Sequence, residues 1–528
     1  LVDVPVLVVG AGPVGLATAI ALRLQGGACV VVEKHPSTLD YPKGRGISTR
    51  SMEIFRQWGI EDDVTSAGLP REGTEFFYLG ETLLAREFRR FDRTALGRVD
   101  SPTPTERLIC AQDLVEAILL RRARALGAEV RFDTEVVAVE DDGDAVTVTV
   151  RDRHSGARRA IAADYVVAAD GGRSTVRAAL GIGTAGPGVV GESVSILVEA
   201  DLAERVADRH AIIYKVNRPH ASAFFAVVDN HRRWLLMMAR DQQTEPDEAF
   251  TDERCLELVR AALGDNDVPV RLLGHRFFQP TALVADRFRA GRVFLVGDAA
   301  HLTTPFGALG MNCGIADAHN LAWKLAGVLH GWAADALLET YDAERRPVAR
   351  ATSDASVLRE DISAGPPRAA FAGITLGYRY ESAATIPDGT PEPEIADPIH
   401  DYRPAARPGC RAPHVWVEHR GKRLSTLDLF GEQFIVLADD ATDRSRLQAE
   451  LAATRVPAAV YAFGDGGDLI DIDNTWRAAW GVEPRGIVLV RPDGHVAWRS
   501  TASPSPDATQ TALRRAAGWT AAHTPRAT

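Results

Sequence analysis

Short, unbroken apolar runs, each closed by a glycine or an acid, punctuate the start of the chain and return later in it. Pro5–Val9 is Val-rich, the pattern of a strand buried on both faces. Gly10-Ala11-Gly12-Pro13-Val14-Gly15 follows at once, and Leu16–Leu24 then reads as an Ala-rich helix ending near Gly26-Gly27. Ala28–Val32 is a second strand-like run, closing with Glu33. Asp164–Ala169 repeats the device, ending in Asp170-Gly171-Gly172 before a helix Ser174–Leu180. Gly291–Val296 ends in Gly297-Asp298-Ala299-Ala300-His301, and a glycine-rich stretch leads into a helix through Lys324. The pattern predicts an α/β fold with a parallel sheet.

From Val190 to about Pro280 the rhythm changes to the strand-like runs Val194–Glu199, Ala211–Lys215, Ala221–Val228 and Arg233–Met238. They predict an antiparallel sheet inserted at residues 189–280, between the two parts 1–188 and 281–365 of the α/β domain. From this sheet Tyr214 and Phe225 are expected to meet a substrate, with His220 beside them and Pro305 from the later loop. Residues 366–413, rich in Pro, Gly and Ala, read as a linker. In the last domain, 414–528, Ile487–Val490, the Pro492-Asp493-Gly494 turn and His495–Arg499 predict a β-hairpin.

Charge and cysteine content narrow the class. A net charge of -11 over 528 residues, with arginines interspersed among acids, argues against a nucleic-acid surface. The five cysteines form no CxxC pair, so neither a disulfide framework nor a zinc site is expected, and a cytoplasmic location is. No run approaches a membrane span. Val4–Leu24 resembles a signal core in hydropathy, but its glycines, Asp3 and missing basic flank favour a strand and a buried helix.

The spacing points to a dinucleotide. In GxGxxG the first glycine allows a tight turn, the second a close backbone approach to pyrophosphate, and the third close helix–strand packing. Glu33 lies eighteen residues past Gly15, where a carboxylate accepts ribose hydroxyls. A second constellation, Asp298 with the amides near Gly310–Asn312, suits a flavin: the acid holds the ribityl or pyrophosphate arm and the amides stabilise negative charge on the reduced ring.

In their order and separations, the GxGxxG unit, the Asp170-Gly171 segment and the Gly297-Asp298 segment resemble those of the group A flavoprotein aromatic hydroxylases. This is the family of para-hydroxybenzoate and phenol hydroxylases, and the likeness is greatest to members that tailor aromatic polyketides. It covers Val4 to about Val357 well and the remainder more loosely. The resemblance implies a Rossmann-like FAD-binding domain, with the inserted sheet as substrate domain and a thioredoxin-like α/β C-terminal domain. No cysteine follows Cys410, so that last domain is expected to be structural or to support a homodimer.

Residue by residue, the resemblance implies that Gly10, Gly12, Pro13 and Gly15 line the FAD pyrophosphate and Glu33 binds the adenosine ribose, with Lys34 beside it. Arg45 and Gln112 would contact the cofactor, Val137 the adenine through its backbone, and Asp170 both FAD and a transient NAD(P)H. Asp298, Pro305, Gly310, Met311 and Asn312 complete the set. Non-covalent FAD, reduced by NAD(P)H, would react with molecular oxygen and hydroxylate an aromatic substrate through a C4a-hydroperoxide. No catalytic base is assigned, and His301 is expected to pack against the cofactor strand. Baeyer–Villiger oxidation, epoxidation, oxidative decarboxylation, an oxidase or dehydrogenase, and a non-enzymatic flavin module stay open as other readings. The loop Thr304–Gly310 departs from many relatives: Ala308 stands for a glycine and Leu309 for a polar residue.

Overall fold

The structure, a computed structural model, describes residues 2–70, 76–92, 103–218, 221–229, 232–358, 371–439, 442, 444–464, 466–505 and 507–520; His220 lies outside them. Its first nine helices are α1 (Pro13–Leu24), α2 (Thr49–Gln57), α3 (Glu61–Ala67), α4 (Gln112–Ala125), α5 (Thr175–Ala179), α6 (Asp252–Leu263), α7 (Leu309–Leu329), α8 (Ala336–Ser356) and α9 (Ala372–Leu376). Among the described residues no helix is long and apolar enough to cross a membrane.

Val4–Val9 runs parallel between Cys29–Val32 and Arg158–Ala168, and Val293–Leu295 joins beyond the latter. The register pairs Val9 with both Val32 and Ala168, and Ala168 with Leu295. Four strands therefore end at one level. The segments Gly10–Gly12, Glu33, Ala169–Asp170 and Val296–Asp298 leave the same carboxyl edge side by side, at the crevice where open α/β sheets bind ligands.

The glycines divide the work of the first turn. Gly10 has φ +104, and a Cβ there would lie 2.4 Å from the Ala169 carbonyl oxygen. At Gly15 a Cβ would lie 1.9 Å from the Gly10 carbonyl oxygen, so only glycine lets α1 pack this close. A Cβ at Gly12 would meet nothing within 4 Å.

The antiparallel part is a seven-stranded sheet in the order Arg271–Phe278, Ser193–Glu199, Arg233–Ala239, Ala221–Asp229, Ile213–Arg218, Phe76–Gly80, Phe88–Asp92. Its last two strands come from far upstream, and Phe76–Gly80 pairs parallel with Ile213–Arg218. One face buries Tyr78, Ile196, Tyr214, Phe225, Trp234 and Leu236 in a core completed by Cys255 and Val259 of α6. The alternate residues Phe77, Ile213, Phe224 and Met237 stand on the other face.

The C-terminal part holds a four-stranded sheet in the order Ala458–Phe463, Phe434–Asp439, Ile487–Val490, Val496–Ser500, flanked by helices Arg444–Ala452 and Ala508–Ala516. The expected hairpin is its last strand pair. The Pro- and Gly-rich stretch before it contains α9, is closed on itself by the bridge Arg379–Cys410 and is tied to the domain by the bridge Arg411–His495.

Candidate functional site

A cavity of about 1730 Å³ opens where the parallel strands end and reaches the free face of the antiparallel sheet. Gly12, Pro13, Glu33, Arg45, Gln112, Asp298, Pro305, Gly310, Met311 and Asn312 line it together. Two helices begin on its wall without a side-chain cap: α1, behind Gly12, and α7, behind Ala308. Their first-turn N–H groups and partial positive charge, about half an elementary charge at each end, are therefore open to an anion.

The Glu33 carboxylate crosses the mouth of the glycine turn. Its two oxygens accept the Ala11 N–H (2.8 Å) and the His35 N–H (2.9 Å). At the other end, the Asn312 side chain stitches α7 to the loop before α2. Its Oδ1 accepts the Ser48 N–H (2.9 Å), and its Nδ2 donates to the carbonyls of Gly46 (2.9 Å) and Ala308 (2.6 Å). Asp298 is exposed to the cavity, and the protein surrounding that cavity raises its carboxyl above the ordinary range by desolvation, against the pull of His301 and Lys43. A Cβ at Gly310 would come within 4.0 Å of Asp298 Oδ1, so the start of α7 and this acid face each other.

Arg45 donates to two carbonyls of the antiparallel sheet, Val227 (3.0 Å) and Ile212 (2.5 Å). Burial lowers its pKa to about 10. Gln112 donates to Glu116 (2.8 Å), and its backbone N–H reaches the Gly44 carbonyl (2.8 Å), which fixes the Arg45 loop against α4.

Other expected residues lie elsewhere. Gly10 and Gly15 are internal to the turn and serve packing. Lys34 points outward, with its carbonyl accepting Arg153 Nη1 (3.1 Å). Val137 is the extra residue where the pairing of its strand shifts between Val136 and Ala138. Asp170 is committed to α5: it accepts the Ser174 hydroxyl (2.6 Å) and the Val176 N–H (3.2 Å), while its neighbours Ala169 and Gly171 line the cavity.

Tyr214 and Phe225 need correction. Both are fully buried on the α6 face, where Tyr214 packs on Tyr78 (5.2 Å) and Trp234 (5.6 Å) and its hydroxyl accepts the Ala211 N–H (3.1 Å). The period of two in a strand gives the cavity to their neighbours Ile213 and Phe224. Pro305 does line the cavity. Residues that the sequence reading left out include Phe77, Ser195, Arg276, Phe278 and, from the supposed linker, Phe371 and Thr375. Alternation along each strand would have marked the first four only if the sheet register had been known.

His301 is buried, with Nε2 2.7 Å from Asp317 Oδ2. Burial opposes its charge, yet Cys313 and Asp317 beside it hold the imidazolium well above its usual range. His301, Cys313 and Asp317 have the spacing of metal ligands. Arg345 already occupies the position of a cation there, donating to Asp317 Oδ1 (2.7 Å) and to Cys313 Sγ (3.4 Å), so the cluster is charge-compensated.

Residues 3–356 match the family model described as FAD binding domain, and residues 405–519 the model described as aromatic-ring hydroxylase, C-terminal. The chain belongs to the FAD-dependent aromatic-ring hydroxylases. The hydroxylase is 39% identical to a tetracenomycin B2 monooxygenase-dioxygenase of Streptomyces olivaceus, over 96% of this chain and 97% of that one. It superposes on the flavin-dependent monooxygenase PieE in complex with FAD and substrate with a TM-score of 0.90 at 32% identity, covering 98% and 99% of the two chains. A ternary complex of aklavinone-11 hydroxylase with FAD and aklavinone gives 0.88 at 34% identity, covering 98% and 100%. The cradle of this hydroxylase fits FAD: the open side of Gly12, the two uncapped helix starts and the Asp298 carboxylate lie along one continuous cavity.

Proposed function

We propose that this hydroxylase inserts one atom of molecular oxygen into a polycyclic phenol or quinone of the polyketide type, with NAD(P)H as electron donor, in natural-product tailoring. The observation that carries the reading is the continuity of the cavity from Glu33, past Asp298, to the apolar sheet face bearing Phe77, Phe224 and Met237. Bound FAD supplies acceptance of hydride and activation of oxygen.

The chain's own residues bind, orient and exclude water. The α1 N-terminus and Gly12 receive the pyrophosphate, and Glu33, held by two backbone amides, keeps lone pairs for ribose hydroxyls. Asp298 would hold the ribityl or pyrophosphate arm. The uncapped amides of α7 offset negative charge on the reduced ring. Arg45 joins the cofactor loop to the substrate sheet through the Ile212 and Val227 carbonyls. Asp170 acts indirectly, by shaping the Gly171 turn at the cavity edge.

The test is to bind FAD to the purified chain, screen polycyclic phenols and quinones for stimulated NAD(P)H oxidation, and run the positive reactions under isotopically labelled oxygen. The expected product carries one labelled atom on a ring carbon. Label in a lactone or epoxide assigns the other insertions. NAD(P)H oxidation without oxygen or label would make the chain a dehydrogenase.

A further inference from the structure

The Pro492-Asp493-Gly494 turn is a hairpin tip, and tips are ordinarily solvated. Here Arg491, Asp493 and His495 are each at most 1% exposed. The tip enters the first domain and touches two helices there. The Asp493 carbonyl accepts Arg50 Nη2 of α2 (2.8 Å), and its Oδ2 accepts Asn320 Nδ2 of α7 (3.2 Å). Arg491 pairs with the same Asp493 carboxylate (2.5 Å) and with Glu344 of α8 (2.6 Å), which Lys324 of α7 also reaches (2.7 Å).

The cavity ends of α2 and α7 are joined as well, through Asn312 to Gly46 and Ser48. The two helices also meet directly through His319 Nε2 and Gln57 Oε1 (2.9 Å); Asn312 links them in the cavity wall, and behind it a residue from the C-terminal domain bridges them. We propose that Asp493 is a positioning residue for the flavin site. It holds α2 against α7 and so sets the spacing between the Gly46–Ser48 loop and the α7 amides. This rests on the reading that those amides face the flavin ring. The C-terminal domain is then a component of the cofactor pocket rather than an appendage.

The test separates positioning from bulk stability. Asp493→Asn removes the buried charge and places an amide against the donors of Asn320 and Arg491. Asp388→Asn is the control: it breaks another buried pair, Asp388 with Arg499 (2.6 Å), in the C-terminal part. Both variants should lower the Tm, because each removes a buried carboxylate that faces an arginine: Arg491 keeps Glu344, and Arg499 loses its charged partner. Only Asp493→Asn should raise the FAD Kd by about tenfold, change the visible circular dichroism of bound flavin, and divert NAD(P)H electrons from product to hydrogen peroxide. If Asp493→Asn fails to fold, Asn320→Ala removes the α7 donor to Asp493, together with its bond to Glu344 (2.7 Å), and should raise the FAD Kd by roughly threefold. An unchanged FAD Kd and flavin spectrum in the folded variant, or an equal change in Asp388→Asn, overturns the inference. Failure of the wild-type chain to bind FAD would instead overturn the function on which it rests.

Discussion

Phe224 and Phe225 stand on opposite faces of one strand, the first half-buried in the cavity wall and the second sealed in the core with Trp234. Their substitutions should separate cleanly. Phe225→Ala leaves a hole in a packed interior and should cost about 3–5 kcal/mol in urea unfolding. Phe224→Ala should stay within about 1 kcal/mol in stability. Its effect should appear as a higher KM and more hydrogen peroxide per NAD(P)H consumed.

Gly12 and Gly15 make a second pair of opposites. A methyl at Gly12 has open space, so Gly12→Ala should leave the apoprotein melting temperature unchanged while weakening FAD binding by about tenfold or more. A methyl at Gly15 would collide with the Gly10 carbonyl, so Gly15→Ala should damage the apoprotein itself. Melting curves of both variants, with and without FAD, check this.

Two buried histidines make stability depend on pH. Burial, reinforced by Arg50, pushes His319 down to about 3, and burial pushes His495 down to about 4 although Asp493 pulls the other way. An unfolded histidine titrates near 6.5, so between that value and the folded one the unfolded chain binds more protons. The contribution of these two histidines is therefore complete above about pH 6.5 and falls as the pH drops toward 4. At pH 5 each histidine contributes a loss of about 2 kcal/mol. Urea unfolding from pH 7.5 to 4.5 should show the slope, and His319→Gln should flatten it. An equal slope in the variant would contradict the assignment.

Ala308 caps α7 with φ +54, the left-handed region that costs a residue with a Cβ about 1 kcal/mol. Ala308→Gly relieves that strain while adding unfolded-state entropy. The net change should lie within about 0.5 kcal/mol of zero, against the loss of about 1 kcal/mol usual for Ala→Gly inside a helix. Calorimetry of the FAD-free protein measures it.

The parallel core was legible because its strands are buried on both faces and each ends in a glycine or an acid at the crevice. One apolar pattern thus announced Gly12, Glu33 and Asp298 together. The antiparallel wall was legible as strands but not as faces. A one-residue choice of register decides whether Tyr214 or Ile213 meets the cavity, and the composition of Ala211–Lys215 does not make that choice. Phe77 and Phe371 enter the wall from distant parts of the chain, so no local pattern connects them to the site. The Pro492-Asp493-Gly494 turn was read correctly as a turn, but turn chemistry is the same at a wet tip and a buried one.

The buried junction also bears on recombination among these enzymes. A crossover in the Pro-rich stretch near residue 390 looks safe by secondary structure. It would nevertheless draw Arg491 and Asp493 from one parent and Arg50, Asn320, Lys324 and Glu344 from the other. Chimaeras should thus be viable only when both parents carry matching partners at these positions, and a library built without that filter would be dominated by colourless, poorly folded products.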